Sequence, residues 1–434
     1  MDPLLVAFAL FGTFAVLLAL GVPISVGIIV SAFVASLLTL PWADTTFVVG
    51  QQMSMGVESF SLLAIPLFIL AGNIMNNGGI ARRLVDLALV LAGRVPGSLA
   101  HTNVLANMLF GSLSGSAVAS AAAIGGTLHE RQRKEGYDPA YSTAVNIASA
   151  SVGLLIPPTT AAIVYSTVAG GVSVAALFMA GYVPGILMGI TVMLVALIIA
   201  RRRGYRSTER ATLREGLLVF VRAIPSLLLV IVVVGGIVAG LFTASEGAAV
   251  AVLYCLALSL LYRSLDRTAF REIAVRTATA TGVVMFLIAA SSAMAWVMAF
   301  SGIPAAITES LISTTESRVL ILALMVLILL VVGSFMDITP AILIFTPIFL
   351  PIAVEVGMSP VHFGMVLILA MCIGTMTPPV GSVLFVSTGI SGVSIESVVP
   401  RLLPFFAALI ALLLLVTYVP ALSLAVPGWL GLLG

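Results

Sequence analysis

Charge is the scarcest property of this sequence. Only 8% of its 434 residues are charged, where soluble domains carry about 25%, and 61% are hydrophobic. Such a chain is neither a soluble globular enzyme nor a disordered one. Among 19 basic residues only Lys134 is a lysine, and no G-x-x-x-x-G-K-[ST] occurs, so the chain cannot hydrolyse ATP through a P-loop. The net charge of +2 gives no case for nucleic-acid binding. There are two cysteines, Cys255 and Cys372, far apart in apolar segments, which excludes a disulfide framework. The three histidines, His101, His129 and His362, are placed near interfaces and show no helical pairing of the kind that ligates haem. Met1-Asp2-Pro3 is not the basic start of a signal peptide, so residues 4–20 read as a retained span.

What remains is apolar length. With about 20 residues per crossing, the runs 4–20, 24–40, 59–76, 98–128, 140–170, 173–200, 216–239, 245–262, 277–300, 318–356, 360–390 and 402–425 predict about ten transmembrane helices plus re-entrant structure. The fold class is thus an all-α polytopic membrane protein. Trp42, Trp296 and Trp429 read as interfacial anchors. The basic clusters Arg82 to Arg94, Arg131 to Lys134, Arg201 to Arg214, Arg263 to Arg276, and Arg401 assign the cytoplasmic side. Arg94 and Arg131 flank 98–128 from the same side, so that run is a re-entrant hairpin with Gly111-Ser112-Leu113-Ser114-Gly115-Ser116 at its tip. The run 318–356, with Gly333-Ser334-Phe335-Met336-Asp337-Ile338-Thr339-Pro340 at its centre, enters from the opposite face. Both termini then lie outside. Residues 80–93 form an interfacial helix.

An internal repeat joins these parts. Pro157-Pro158 and Pro378-Pro379 stand 221 residues apart; at that offset Gly153 meets Gly374, Ser166-Thr167 meets Ser387-Thr388, and Gly171-Val172-Ser173 meets Gly392-Val393-Ser394. The hairpin tips match at 222, Gly111-Ser112 with Gly333-Ser334. Combined with the charge-derived orientation, residues 1–200 and 215–434 form an inverted repeat around a basic loop, 201–214. The first holds helices 4–76, arm 80–93, hairpin 98–128, broken helix 140–170 and helix 173–200. The second holds helices 216–300, hairpin 318–356, broken helix 360–390 and helix 402–425. Secondary transporters bind substrate and ion at such breaks.

Non-helical backbone survives in a bilayer only where protein or a water-filled cavity satisfies it. Pro157 and Pro378 should free carbonyls near Gly153 and Gly374. With Ser112 and Ser114 at one tip, and Asp337 and Thr339 at the other, the donors are all hard oxygens, which suit Na+ and not zinc, copper or haem. A carboxylate at membrane depth marks an ion pathway, yet Asp337 also fits a helix N-cap; the two readings are compatible. The serines, including Ser116, also fit small-residue packing. Helix N-termini at the breaks would favour an anion, with Thr159, Thr160, Gly381 and Ser382 in reach. No arginine is expected at membrane depth to clamp a carboxylate, a hint that another protein selects the substrate. Glu246 reads as a helix cap.

The stretch Leu62-Leu63-Ala64-Ile65-Pro66-Leu67-Phe68-Ile69-Leu70-Ala71-Gly72-Asn73-Ile74-Met75-Asn76-Asn77-Gly78-Gly79-Ile80, with Phe110 to Ala117, Leu155-Ile156-Pro157-Pro158-Thr159 and Gly374 to Gly381, resembles the large membrane (M, DctM-type) subunit of tripartite ATP-independent periplasmic (TRAP) transporters. The resemblance covers essentially the whole chain, which starts directly at the first M-type span. It implies an elevator-type, ion-transporter-like fold and Na+-driven import of organic acids across a bacterial or archaeal inner membrane. It also implies two partners, a small four-span Q subunit and a periplasmic substrate-binding protein. Carried onto matching motifs, one Na+ site would use Ser112, Ser114, Gly153 and Pro157. The other would use Gly333, Asp337, Thr339, Gly374 and Thr377. The substrate would lie between the tips, near Ser116, Thr159, Thr160, Gly381 and Ser382. Competing readings are a stand-alone Na+- or H+-coupled carboxylate carrier and, from another class, an intramembrane serine protease. The protease would need a base within reach of its nucleophile, and no histidine is placed at a tip.

Overall fold

The computed structural model describes residues 2–77, 80–93, 95–205, 212–314, 317–378 and 380–433. Gly78, Gly79, Arg94, residues 206–211 and Pro379, named in the sequence analysis, lie outside the described residues.

Helix α1 (Pro3–Ala19) starts on Asp2, whose carboxylate accepts from the Leu4 N–H at 2.9 Å, with Pro3 in the first turn where its missing N–H costs nothing. Gly21, at φ 75°, turns the chain into α2 (Ile24–Ser36). Helices α3 (Trp42–Met55) and α4 (Ala64–Asn77) form an apolar pair bent by 60°. The arm α5 (Ile80–Ala92) follows. Then come α6 (Ser98–Ser114) and α7 (Ala117–Lys134), the first hairpin; α8 (Pro139–Ala150) and α9 (Thr160–Val168), the first broken helix; and α10 (Val174–Arg203).

The second half repeats the order. Helices α11 (Leu213–Val238), α12 (Ala244–Leu261) and α13 (Arg267–Phe300) precede a short helix, α14 (Ile303–Thr314). Next are α15 (Arg318–Gly333) with α16 (Ile338–Glu355), α17 (Pro360–Gly374) with α18 (Ser382–Ser391), and α19 (Ile395–Tyr418). Among the described residues every element is helical.

The ten expected crossings would fall on α1, α2, the α3–α4 pair, α8–α9, α10, α11, α12, α13, α17–α18 and α19. Six single helices are long and apolar enough to cross a bilayer unaided, the bent pair makes a seventh, and one of the six, α16, is a hairpin arm. The remaining crossings are broken or short.

Four elements depart from the sequence expectation. Helix α3 lies between the apolar runs 24–40 and 59–76, where the apolar pattern assigns none. Helix α14 likewise stands between the runs 277–300 and 318–356; it lies about one repeat length from α5, and its twelve residues are too few to register as an apolar run. The final run splits at Val419-Pro420, because proline cannot continue the helix, into α19 and α20 (Ala421–Trp429). Helix α13 begins at Arg267, ten residues earlier than its apolar run, because Asp266 caps it by accepting from the Ala269 N–H at 2.6 Å.

Packing divides the helices. Helices α1, α2, α4 and α11 to α13 pack on one another, as do α6 to α10 and α15 to α20. The arms lie between: α5 touches α6 and α11, and α14 touches α16 and α1. Both cysteines are buried free thiols. His101 and His362 are buried rather than interfacial, and the His362 Nε2 lies 3.2 Å from the Thr417 carbonyl oxygen of α19. Trp42 and Trp429 are exposed, whereas Trp296 stacks on Phe300 at 4.7 Å. Glu246 closes a capping box with Thr243 at the start of α12.

Glycine sets the closest approaches. A Cβ on Gly153 would lie 2.4 Å from the Gly111 Cα, and one on Gly374 would lie 2.5 Å from the Gly333 Cα. These four are the glycines that the internal repeat aligns, and each pair is a point where a hairpin crosses a broken helix backbone to backbone. Overpacking a close contact costs about 1–3 kcal/mol. Gly374→Ala and Gly153→Ala should therefore each lower the thermal midpoint of the detergent-solubilised protein, while Gly235→Ala, with nothing within 4 Å of its Cβ, should leave it unchanged.

Candidate functional site

At the first tip, Gly115 ends α6 at φ 64°, its N–H donating to the Gly111 carbonyl at 3.0 Å. Ser116 caps α7 by accepting from the Ala119 N–H at 3.2 Å. At the second tip, Asp337 occupies the N-cap position of α16, yet its side chain makes no capping hydrogen bond. The carboxylate faces an open cavity. Its main-chain partner is Ile338, the first residue of its own helix.

The breaks dock on the tips. In the first, the Thr160 hydroxyl approaches the Gly115 carbonyl at 3.4 Å; in the second, the Val380 N–H donates to the Ser334 carbonyl at 3.2 Å. The prolines do not leave the glycine carbonyls bare. Gly153 O accepts from the Ile156 N–H at 3.2 Å, and Gly374 O from the Thr377 N–H at 2.8 Å. Each oxygen keeps one lone pair for a further partner. Between the breaks, the Ser151 hydroxyl donates to the Cys372 carbonyl at 3.0 Å and the Cys372 thiol to the Ser151 carbonyl at 3.4 Å. Residues 151 and 372 are separated by 221, the repeat offset, so this reciprocal contact lies on the axis relating the two halves.

A cavity of about 470 Å³ opens beside the tips. Ser114, Ser116, Thr160, Asp337 and Thr339 line it from the hairpin side, and Asn73, Asn76 and Arg276 from α4 and α13. A smaller chamber of about 60 Å³ continues it between the tips, bounded by the first residues of α7, α9 and α16. Three helix N-termini thus converge on one space, and their free N–H groups make it attractive to an anion.

The other predicted residues lie outside this cavity. Ser112 is buried, its hydroxyl donating to the Leu109 carbonyl at 3.0 Å. Gly153 and Pro157 are buried behind the first tip, and Gly333 and Gly374 form the second crossing. Thr377 donates to the Ile373 carbonyl at 2.8 Å. Thr159 is buried and caps α9 through the Ala161 N–H at 3.2 Å. Gly381 and Ser382, at the start of α18, do not line the cavity.

An arginine, Arg276, lines the cavity, although none was expected at membrane depth. It sits in the third turn of α13, 2.5 Å from Glu272 through one guanidinium nitrogen. The cap signal at Asp266, four residues before the Phe270 that opens the apolar pattern, extends the helix into the basic loop and would have found it. Asn73 was quoted only as part of a motif. Its amide donates to the Thr277 hydroxyl at 2.9 Å, tying α4 to α13 beside the cavity.

The family profile of the tripartite ATP-independent periplasmic transporter, DctM component, matches residues 11–422. The chain belongs to this family. DctM-family proteins named as TRAP transporter large permeases align along nearly their full length. The C4-dicarboxylate TRAP transporter large permease DctM of Pseudomonas aeruginosa is 39% identical over 86% of this chain and 88% of its own. The isethionate TRAP transporter permease protein DctMQ of Oleidesulfovibrio alaskensis is 35% identical over 98% of this chain and 67% of its own. In fold, the chain resembles the Alcanivorax borkumensis YdaH transporter, with TM-score 0.62 over 86% of this chain and 88% of that one at 16% identity. As a member of this DctM family the chain is a multi-pass membrane transport protein and not an enzyme.

The two serine and aspartate caps can be told apart. Removing a satisfied N-cap costs about 1 kcal/mol. Ser116→Ala should therefore lower thermal stability measurably, and Asp337→Ala should not.

Proposed function

We propose that the chain is the large permease of a Na+-coupled importer of a small organic anion, a carboxylate in the first instance. It would be fed by a periplasmic substrate-binding protein and paired with a small four-span membrane subunit. The observation that carries this reading is the cavity in which three helix N-termini and Arg276 share a wall with the carboxylate of Asp337. Helix dipoles and a guanidinium attract an anion; Asp337 repels it. At an effective dielectric of 20, two like charges 4 Å apart repel by about 4 kcal/mol. A cation bound beside Asp337 removes that repulsion, so anion and cation favour each other's binding, which is the linkage a symporter needs.

The ion's ligands would be oxygens at the two crossings: carbonyls of Gly153 and Gly374 with the hydroxyls of Ser112 and Ser114 on one side, and of Thr339 and Thr377 with Asp337 on the other. Pro157 and Gly333 shape those crossings. Ser116 and Thr160, which line the cavity, would touch the anion. The substrates for which the two relatives are named, a C4-dicarboxylate and isethionate, a sulfonate, are both anions. A fused DctMQ relative supports a small membrane partner.

The basic ends of α7, α10 and α13 set the cytoplasmic side, with both termini periplasmic, in the inner membrane. Arg276 and Asn76 line the cavity near the basic start of α13 and the end of α4, which supports an inward-facing reading. The hairpins and broken helices, α6 to α10 with α15 to α20, would move as one body against α1 to α4 and α11 to α13 in an elevator step, with α5 and α14 as braces.

The test is uptake of a labelled organic-anion panel into proteoliposomes holding this chain and its small partner, with the binding protein outside and an inward Na+ gradient. Uptake should require both the binding protein and Na+. Uptake by the chain alone, or driven by protons, would replace this reading with a stand-alone carrier. Asp337→Asn should abolish the Na+ requirement together with most uptake. Arg276→Gln should raise KM about tenfold or more, in line with the loss of about 1.5–3 kcal/mol from a hydrogen bond to a charged group.

A further inference from the structure

A second polar feature lies inside the first hairpin, away from the anion cavity. The Asn107 amide donates to Asn103 Oδ1 at 2.8 Å, to Asn146 Oδ1 at 3.2 Å and to Ser149 Oγ at 2.8 Å. Ser120 Oγ donates to Asn107 Oδ1 at 2.7 Å, and Asn146 donates on to Ser387 Oγ at 3.2 Å. All are buried.

The fold does not need this network. One repeat length along, Asn103, Asn107, Asn146 and Ser149 are replaced by Met325, Leu329, Leu367 and Ala370, also buried. The second half packs the same positions with hydrocarbon. Burying amides is costly unless each is satisfied, and here satisfaction is incomplete. Asn103 Nδ2 and Ser142 Oγ, both buried to 2% exposure or less, have no partner among the described residues. Both face a crevice between α6, α7, α8 and α18, together with His129, Gln132, Asn146 and Ser387. Its free volume is about 10 Å³, room for a single water.

The crevice has a direction. His129 and Gln132 mark its outer end, in the last turns of α7 beside Arg131, Arg133 and Lys134, the cytoplasmic end by charge. At the inner end, Ser120 Oγ lies 3.5 Å from where a Cβ on Gly111 would stand, and Asn107 and Ser149 each precede Gly111 and Gly153 by one helical turn. The line of amide and hydroxyl oxygens therefore runs from the cytoplasmic end to the first crossing.

We infer that this line is a hydrated path by which the coupling cation leaves the first crossing for the cytoplasm, separate from the anion cavity. It rests on the Na+-coupled reading above. Neutral oxygens can replace a cation's water in passing, as carbonyl rings do in selective pores. A carboxylate would hold the ion in place, and none lines the crevice. A cation released here need not pass Arg276.

The test converts the first half to the residues of the second: Asn107→Leu, Asn146→Leu and Ser149→Ala together, in the complete transporter in proteoliposomes. Na+ affinity, read from the Na+ concentration that half-maximally raises the thermal midpoint, and the KM for substrate should stay within about twofold of the parent. The turnover of Na+-driven uptake should fall about tenfold or more. Unchanged turnover, or a matching loss of Na+ affinity, would overturn the path. A parent protein whose uptake ignores Na+ would overturn the coupling reading itself. Should the triple variant not fold, Ser142→Cys is nearly isosteric. Ag+, a monovalent cation that bonds thiolates, should block Ser142→Cys when added to the cytoplasmic side and leave the parent, with its two buried cysteines, active. Insensitivity of the folded Ser142→Cys protein to Ag+ would equally sink the proposal.

Discussion

A backbone that stops being helical inside a bilayer must find partners for its polar groups within the protein, and most of this structure follows from how that is met. At both breaks the answer is contact between main chains. Gly111 against Gly153 and Gly333 against Gly374 let a hairpin and a broken helix approach closely enough for tip and break to satisfy each other. Any side chain at these points would push them apart. The close approach gathers oxygen donors at each crossing and turns three helix N-termini toward one chamber. The same device occurs twice, related by the repeat, but its two copies differ chemically. Both are bordered by hydroxyls, but one adds amides and the other a carboxylate.

That difference gives the cavity its logic. An all-positive chamber would hold an anion and release it slowly. Asp337 sets a carboxylate in the same wall, at the N-cap position of α16 but without a capping bond to the next turn. Arg276, attached to the other group of helices, is paired with Glu272 at the same cavity. On the proposed reading, affinity at such a site would depend on what else is bound, a property of charge arrangement more than of shape.

Much of this was legible in the residues. Glycines and prolines recur at one offset, basic residues cluster in a few loops, and an acid stands at the centre of an apolar run; each is a large departure from its surroundings. The positions of the hairpins, the breaks and Asp337 follow from those departures. What escaped was quieter. Helix α14 is too short to register against neighbours that are themselves apolar. Arg276 looked like one more charge in a basic loop, because apolar content, not the cap at Asp266, was used to start α13. Gly381 and Ser382 follow a Pro-Pro pair as Thr159 and Thr160 do, yet of these four only Thr160 reaches the cavity. Sequence equivalence places residues in equivalent positions of two half-structures, and a cavity that opens on one side of the axis treats the halves unequally.

The reciprocal contact of Ser151 and Cys372 carries this further. Each broken helix grips the other at the one place where the two halves meet themselves. A shift of either break is therefore transmitted to its twin without an intermediary. The two crossings behave less as separate binding sites than as opposite ends of one stiff beam pinned at its midpoint.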